Sequence, residues 1–205
     1  MLLDSIDRVW RPCLSCGPIV LASLLLGVAQ ETLAADQLIR TVDFGNTSVP
    51  WEARPHVPDQ WKWLSTLPTG QLQLQGGRGT PGKGDYVALQ RVIYADLMGD
   101  GRDEAIVEFR YGTGGSATWS YLHVFTERGG RAECIAVMRA GSRADGGLLK
   151  LLVRGRKLEI HFQDTSRRFA DCCSDGAITA TYRWDGQTFV ETGRRRLYVL
   201  KGKNR

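Results

Sequence analysis

The feature that most constrains this chain is an alternation of apolar and polar side chains with a period of two. It is clearest over residues 157–163, where Leu158, Ile160 and Phe162 alternate with polar neighbours. Successive side chains of a β-strand point to opposite faces of the sheet, so this pattern is typical of a strand with one buried and one solvated face. The same alternation returns over residues 178–184. The chain is therefore expected to build sheets rather than helices.

Turn signals separate the alternating segments from residue 87 onward. Gly129-Gly130, Gly155 and Asp185-Gly186 each stand between two such segments, and dipeptides of this kind accept the positive φ of a tight hairpin turn. Strands repeating at roughly ten-residue spacing are typical of a β-meander or sandwich. The sequence predicts an all-β fold, an antiparallel meander or sandwich of about eight strands, with its core in residues 87–205.

Residues 36–86 have a different composition. Prolines interrupt the whole stretch and glycines are concentrated between positions 76 and 84. We expect a short strand at residues 39–44, followed by an irregular segment that packs on the core, because proline and glycine disfavour long regular elements.

The N-terminus contains an apolar run, residues 19–29, that carries no charge and only one polar residue, Ser23. The run is shorter than the ~20 apolar residues that a membrane span needs. It follows Arg8 and Arg11 and precedes small residues that suit cleavage, as in a secretory signal. We predict a signal peptide at residues 1–35 and a periplasmic or secreted mature chain without a transmembrane segment. An uncleaved N-terminal anchor is the alternative.

Cleavage would leave three cysteines, Cys134, Cys172 and Cys173, in an oxidising compartment. Three cysteines cannot all pair within one chain. A disulfide between Cys134 and one member of the adjacent pair is the expected arrangement. A Cys172–Cys173 bridge is the alternative, and it would strain the peptide between the two residues.

An acidic loop over residues 96–104 has the spacing of metal ligands. Asp96, Asp100 and Glu104 stand at relative positions 1, 5 and 9, with Gly101 at position 6. A calcium ion needs several converging oxygens, which these carboxylates and the carbonyl of Arg102 would supply to a weakly held, structural Ca²⁺. In the alternative interpretation, the carboxylates accept hydrogen bonds from backbone amides of the turn and hold its shape.

This loop resembles the calcium-binding turn of FG-GAP and similar β-propeller repeats, D-x-N-G-D-G-x-x-D, over residues 94–109. Longer segments, among them VDFGNTSVPW (42–51), YADLMGDGRDEAIV (94–107) and GTGGSATWSYLHVF (112–125), resemble a family of exported bacterial proteins. That resemblance implies export and a single mature domain. It supplies no catalytic residue.

A candidate ligand surface combines an aromatic segment with two loops. The segment contains Trp51, Trp61 and Trp63, and the loops at 112–118 and 142–147 contribute Ser116 and Asp145. Aromatic residues in such a segment either line a groove or cover the end of a core.

No catalytic signature occurs in the sequence: neither a G-x-S-x-G elbow, nor H-E-x-x-H, nor a phosphate-binding glycine loop. The net charge is +5, and the basic C-terminus includes Arg194, Arg195 and Arg196. Such a run either attracts an anionic envelope polymer or is a solvated strand edge. Export argues against nucleic acid. We predict a non-catalytic binding or structural domain of the cell envelope; the alternative is an envelope hydrolase that uses carboxylates such as Asp96, Asp145 or Asp164.

Overall fold

The computed structural model describes residues 38–52, 62–64, 66–115, 118–142, 146–170 and 173–200, and for residues 62, 167–170, 173 and 174 it describes the backbone alone. All of them belong to one compact unit, residues 35–205. The predicted signal peptide and the candidate residues Trp61, Ser116, Asp145 and Cys172 lie outside the described residues.

Strands dominate the described part of the chain. In chain order they are β1 (Ser48–Pro50), β2 (Lys62–Trp63), β3 (Gln71–Gln73), β4 (Arg78–Gly79), β5 (Tyr86–Ala95), β6 (Glu104–Gly112), β7 (Thr118–Arg128), β8 (Arg131–Ser142), β9 (Leu148–Arg154), β10 (Lys157–Gln163), β11 (Arg168–Ala170), β12 (Cys173–Ser174), β13 (Gly176–Trp184), β14 (Phe189–Glu191) and β15 (Arg196–Val199). A 3-10 turn, Thr165–Arg167, precedes β11.

The larger sheet has six antiparallel strands in the order β2-β8-β7-β6-β5-β4. From β4 to β8 each strand pairs with the next along the chain, as hairpin connections require. Nearly every residue of the central strand β6 is buried, because the two faces of this sheet both pack against other layers.

A second sheet packs on one face of the larger sheet. It has the order β14-β13-β10-β9, and β15 also pairs with β13. Leu158, Ile160 and Phe162 of β10 point inward and share a core with side chains of the six-stranded sheet such as Ile106 and Leu122. The period-two pattern of β10 therefore marks one half of a sandwich.

The other face of the six-stranded sheet is covered by the N-terminal segment. Val49, Trp51 and Leu74 form a second core with side chains that include Phe109 and Tyr121. The described chain thus has three layers, with the six-stranded sheet in the middle.

The structure confirms the all-β antiparallel fold, with two corrections in residues 36–86. The strand expected at residues 39–44 is a helical turn over 38–41 and then a tight turn, in which the Asp43 carboxylate accepts the Gly45 amide at 2.9 Å. The segment also contributes β1 to β4, short strands that proline and glycine confine to two or three residues. Within the described residues, no helix is long and apolar enough to cross a membrane.

Candidate functional site

The acidic loop connects β5 to β6, and its ninth residue is buried. Glu104 has no exposed surface. Its Oε2 accepts hydrogen bonds from the amides of Leu97 at 2.8 Å and Met98 at 3.0 Å, and its Oε1 accepts one from Thr126 Oγ1 at 3.2 Å. Burial raises the pKa of Glu104, and the hydrogen bonds from Leu97, Met98 and Thr126 oppose that shift.

The two aspartates of the loop bind the turn itself. Asp96 accepts the amides of Gly99 and Gly101, the latter at 3.2 Å. Asp100 accepts the amide of Arg102 at 3.0 Å and its guanidinium at 3.1 Å. Gly99 and Gly101 have φ of 83° and 84°, the left-handed conformation that glycine adopts without strain.

These contacts correspond to the alternative in which the loop carboxylates hold the turn. The guanidinium of Arg156, from the turn between β9 and β10, packs so closely on Gly99 that a Cβ atom there would overlap it. Among the described residues, no group of three His, Cys, Asp or Glu side chains is arranged to hold a metal ion. Calcium binding by Asp96, Asp100, Arg102 and Glu104 stays a prediction.

Cys134 is a buried, free thiol in the structure, and a disulfide from it to Cys172 or Cys173 stays a prediction. It lies on β8 in the core beneath the N-terminal segment, where Sγ contacts the carbonyl oxygen of Ala136 at 3.6 Å. Burial raises the pKa of the thiol to about 12. Cys173 lies on β12, which pairs only with β11 among the described strands.

The two tryptophans of the candidate ligand surface that the structure describes lie in the cores instead. Trp51 is 5% exposed and packs on Tyr121, with ring centroids 4.7 Å apart. Trp63 is 7% exposed and stacks on Phe189 at 4.5 Å, in the other core. Because the six-stranded sheet has two apolar faces, these large rings are needed to fill the layers on either side of it.

His123 of β7 is also a core residue. It is 1% exposed and packs against Phe109, Trp51 and Phe125, with ring centroids 5.1 to 6.2 Å apart. Neither ring nitrogen has a hydrogen-bond partner among the described residues. Burial lowers its pKa to about 3, so the ring is neutral.

An open groove with a volume of about 680 Å³ lies beside β5. Its lining includes Asp43, Asn46, Arg78 and Tyr94. Several of these groups are committed to turns: Asn46 Nδ2 donates to Asp43 at 2.6 Å, and Asn46 Oδ1 accepts the amide of Gly76 at 2.8 Å. The groove contains none of the residues predicted as site residues.

The outward face of the five-stranded sheet carries a feature that the sequence reasoning missed. Every Lys and Arg of strands β9, β10, β13 and β15 lies on this face, opposite the core, and all of them are exposed. We call this surface the cationic face; its residues are Lys150, Arg154, Lys157, Arg183 and Arg196. Glu159 is the only carboxylate in these four strands.

Strand register brings these cations together. Lys157 stands opposite Arg154 on one side and Arg183 on the other, and Lys150 stands opposite His161. Side chains directly opposite each other on one sheet face lie about 4.5–5.5 Å apart at Cβ. The apolar residues of β10 identify its outward positions. Assigning outward positions to the neighbouring strands in the same way would have placed their basic residues on one surface.

A hydrogen-bonded chain crosses the cationic face. Glu159 Oε1 lies 2.7 Å from His161 Nε2, and His161 Nδ1 lies 2.7 Å from the hydroxyl of Tyr198. The other carboxylate oxygen of Glu159 receives Arg196 at 3.1 Å and faces Arg154 at 3.6 Å. The hydrogen bond from His161, followed by the charges of these arginines, lowers the pKa of Glu159 despite its burial.

The order carboxylate, imidazole and hydroxyl sets which nitrogen of the neutral His161 ring carries the proton. Since ionised Glu159 only accepts hydrogen bonds, the neutral imidazole carries its proton on Nε2 and leaves Nδ1 to accept from Tyr198. The arrangement can attract anions and polarise the Tyr198 hydroxyl.

The resemblances to FG-GAP repeats and to an exported family stay predictions, because no family model, no curated protein and no solved structure matches this chain.

Proposed function

We propose that this chain is an exported, non-catalytic binding module that holds an anionic polymer of the cell envelope on its cationic face. The observation that carries the proposal is the segregation of charge: all five basic side chains of β9, β10, β13 and β15 share the outward face with one carboxylate. Glu159 offsets part of this charge through Arg154 and Arg196. The face therefore keeps a net positive charge.

The geometry suits a linear polyanion better than a small ligand. Neighbouring strands are about 4.8 Å apart, and residues on one face of a strand repeat every ~6.8 Å, so the exposed cations form a regular array over the sheet surface. An array of exposed charges attracts ligands of opposite charge at long range, and salt screens the attraction. A polymer with repeated phosphate or carboxylate groups fits this surface.

Two of the carboxylates considered for hydrolysis have structural partners. Asp96 accepts amides of its own turn. Asp164 Oδ1 accepts the amide of Ser166 at 3.0 Å and its hydroxyl at 2.6 Å. These contacts favour binding over acid-base hydrolysis. Export through the signal at residues 1–35, to the periplasm or the medium, is part of the proposal and rests on the N-terminal sequence alone.

The proposal is tested by chromatography on immobilised heparin and on immobilised polygalacturonate. The protein should be retained on at least one of them and elute in a salt gradient. The double variant Lys157→Glu with Arg183→Glu removes two neighbouring cations of the face, and we expect it to elute at a lower salt concentration.

A matched control changes the net charge equally elsewhere. Arg128→Glu with Arg131→Glu alters the hairpin between β7 and β8, where both side chains are exposed. We expect this variant to elute close to the unmodified protein. Equal shifts for the two double variants would show that retention depends on net charge alone, and the cationic face would then have no special role.

A further inference from the structure

Tyr198 stands at the end of the hydrogen-bonded chain on the cationic face. It lies on β15 and is 39% exposed, and its hydrogen bond to His161 lies at the protein surface. On its other side the hydroxyl is 2.7 Å from His161 Nδ1. The oxygen is thus held against a base and can still reach a ligand.

We propose that Tyr198 is a nucleophilic residue that accepts a phosphoryl group from an anionic phosphate ester, with His161 as its general base. The inference rests on the proposed anion-binding face and adds one stoichiometric step to it, in which Tyr198 is modified once and the protein does not turn over. A nucleophile within hydrogen-bond distance of a base, with the base oriented by a third group, is the arrangement that activates hydroxyl nucleophiles in enzymes.

His161 has the geometry that proton abstraction needs. Heavy-atom distances of about 2.6–3.2 Å permit direct transfer from hydroxyl to imidazole, and the distance here is 2.7 Å. Glu159 acts as a positioning residue: it accepts the Nε2 proton at 2.7 Å and so directs Nδ1 toward Tyr198. Thr179 Oγ1, at 3.4 Å from Nδ1, lies on the same side of the ring.

The surroundings favour a phosphate ester as the electrophile. Arg196 lies two residues before Tyr198 and on the same sheet face, opposite Thr179, and Lys150 stands opposite His161. Guanidinium and ammonium groups bind phosphoryl oxygens and offset the charge that develops on them. The same cations would bring an anionic ester to the phenol by long-range attraction.

The step balances without a further reactant. The phenolic oxygen forms a bond to phosphorus, and the bond from phosphorus to the leaving oxygen breaks with its electron pair on that oxygen. The phenolic proton passes to His161 Nδ1 and from there to solvent or to the departing group. The products are a phosphorylated Tyr198 and one equivalent of the released alcohol or phenol.

A purely structural role for the chain of hydrogen bonds makes a different prediction. Tyr198 would then react no faster than another accessible tyrosine of the same molecule. Tyr94 provides the comparison, since it is partly exposed and its ring lies 4.9 Å beneath the Arg40 guanidinium, which gives it a neighbouring cation without a histidine.

The experiment incubates the full chain with bis(p-nitrophenyl) phosphate, an anionic ester with a chromogenic leaving group. We expect one equivalent of p-nitrophenolate per protein and a mass increase that peptide mapping assigns to Tyr198, formed at least about tenfold faster than any adduct on Tyr94. His161→Gln should slow labelling by about 100-fold, the lower range for general base catalysis. Tyr198→Phe should abolish it.

The role of Glu159 has its own readout. In Glu159→Gln, the side-chain amide can donate to Nε2 as well as accept from it, so Nδ1 is no longer fixed as the acceptor, and labelling of Tyr198 should slow while labelling of Tyr94 is unchanged. Labelling of Tyr198 at the unmodified rate would remove Glu159 from the proposal.

Equal labelling of Tyr198 and Tyr94, or p-nitrophenolate release that persists in Tyr198→Phe, would overturn the inference. Circular dichroism of each variant shows whether the fold is retained, and Tyr198→Phe, which removes only the hydroxyl, is the variant least disturbing to β15. Elution of Tyr198→Phe from the polyanion columns should match the unmodified protein. Failure of the labelling with retained elution rejects the chemical step alone, whereas loss of retention in the unmodified protein rejects the binding function.

Discussion

The buried carboxylate of Glu104 accepts a hydrogen bond from the backbone amide of Leu97, with 2.8 Å between Oε2 and the nitrogen. The two residues stand at the two ends of the acidic loop, so this bond closes the loop from inside. Leu97 is itself buried, with 1% exposure, in the core between the sheets. The ninth position of the loop therefore joins the turn to the core.

The first prediction concerns the pH dependence of this contact. Because burial raises the pKa of Glu104, the folded state binds a proton more tightly than the unfolded state does, and the residue's contribution to stability falls as pH rises from about 4.5, its unfolded value, through the folded pKa. In Glu104→Gln the side chain does not titrate, so this contribution is absent. Acidification from pH 7 toward 4.5 should therefore stabilise the unmodified protein relative to Glu104→Gln in urea unfolding.

Glu133→Gln is the control for this experiment, because Glu133 is an exposed residue paired with Arg128 at 3.1 Å. The difference in free energy of unfolding between Glu133→Gln and the unmodified protein should change less with pH than the difference for Glu104→Gln. A difference for Glu104→Gln that is the same at every pH would contradict the proposed role of Glu104.

The second prediction concerns calcium. Asp96 and Asp100 already accept backbone amides of the turn, so these carboxylates hold the shape of the turn without a cation. A ligand that binds only the folded state at 100 times its Kd adds about 2.7 kcal/mol. We expect the Tm to be the same in millimolar calcium and in chelator. A rise of several degrees in calcium that is lost in Asp96→Asn would instead establish the calcium site.

The sequence was sufficient to predict the strand class because the period-two pattern is local. Residues 157–163 form β10 as expected, with Leu158, Ile160 and Phe162 in the core. The sequence did not predict that both faces of β6 would be buried. Burial of both faces depends on which layers pack against the sheet, and a local pattern does not specify those layers.

Two aspects of the site were beyond local reasoning. The cationic face requires the register of four strands, in which Lys157 meets Arg154 and Arg183. The contact between His161 and Tyr198 joins residues 37 positions apart, and β15 reaches this place only by pairing with β13. Single-sequence patterns do not specify such long-range pairs.

The third prediction separates backbone conformation from packing in the acidic loop. Gly99 and Gly101 have nearly the same φ, 83° and 84°, yet a Cβ on Gly101 would meet open space and one on Gly99 would overlap Arg156. Each alanine should cost about 1–2 kcal/mol for the left-handed conformation. Because the Arg156 guanidinium is the far end of an exposed, flexible side chain that can move aside, Gly99→Ala should cost about the same as Gly101→Ala in urea unfolding.

Arg156→Ala supplies the control. In the Arg156→Ala background the costs of the two alanines should be unchanged, because the guanidinium moves aside when it is present. A cost of Gly99→Ala that exceeds that of Gly101→Ala, and that falls in the Arg156→Ala background, would show instead that Arg156 is held against the loop.

The fourth prediction concerns a close approach of two backbone segments. A Cβ at Gly70 would lie 2.5 Å from the carbonyl oxygen of Trp51, and the Trp51 amide donates to the Gly70 carbonyl at 2.8 Å. Backbone atoms cannot move aside as a side chain can, so we expect Gly70→Ala to cost about 2–3 kcal/mol in urea unfolding. Gly115→Ala, whose Cβ would meet nothing within 4 Å, should be nearly neutral. Similar costs for both would contradict the packing described at Trp51.

The last prediction uses the buried imidazole of His123. Its pKa is lowered from 6.5 to about 3 by burial, so below pH 6.5 the unfolded chain binds a proton that the folded state does not accept until about pH 3. This residue therefore opposes folding in acid, by about 1.4 kcal/mol for each pH unit below 6.5. Above pH 6.5 this penalty is absent.

His123→Phe keeps a ring of similar shape and removes two buried nitrogens that have no hydrogen-bond partner within the described parts of the chain. We expect it to be as stable as the unmodified protein at pH 7, or more stable by about 1 kcal/mol, because an unsatisfied buried polar atom costs about 1–3 kcal/mol. Between pH 6.5 and 4.5 its advantage should grow. Phe109→Leu alters the same aromatic cluster but changes no titrating group. Its difference in free energy of unfolding from the unmodified protein should therefore not vary with pH. An advantage of His123→Phe that stays constant down to pH 4.5 would show that the imidazole reaches solvent in the folded state.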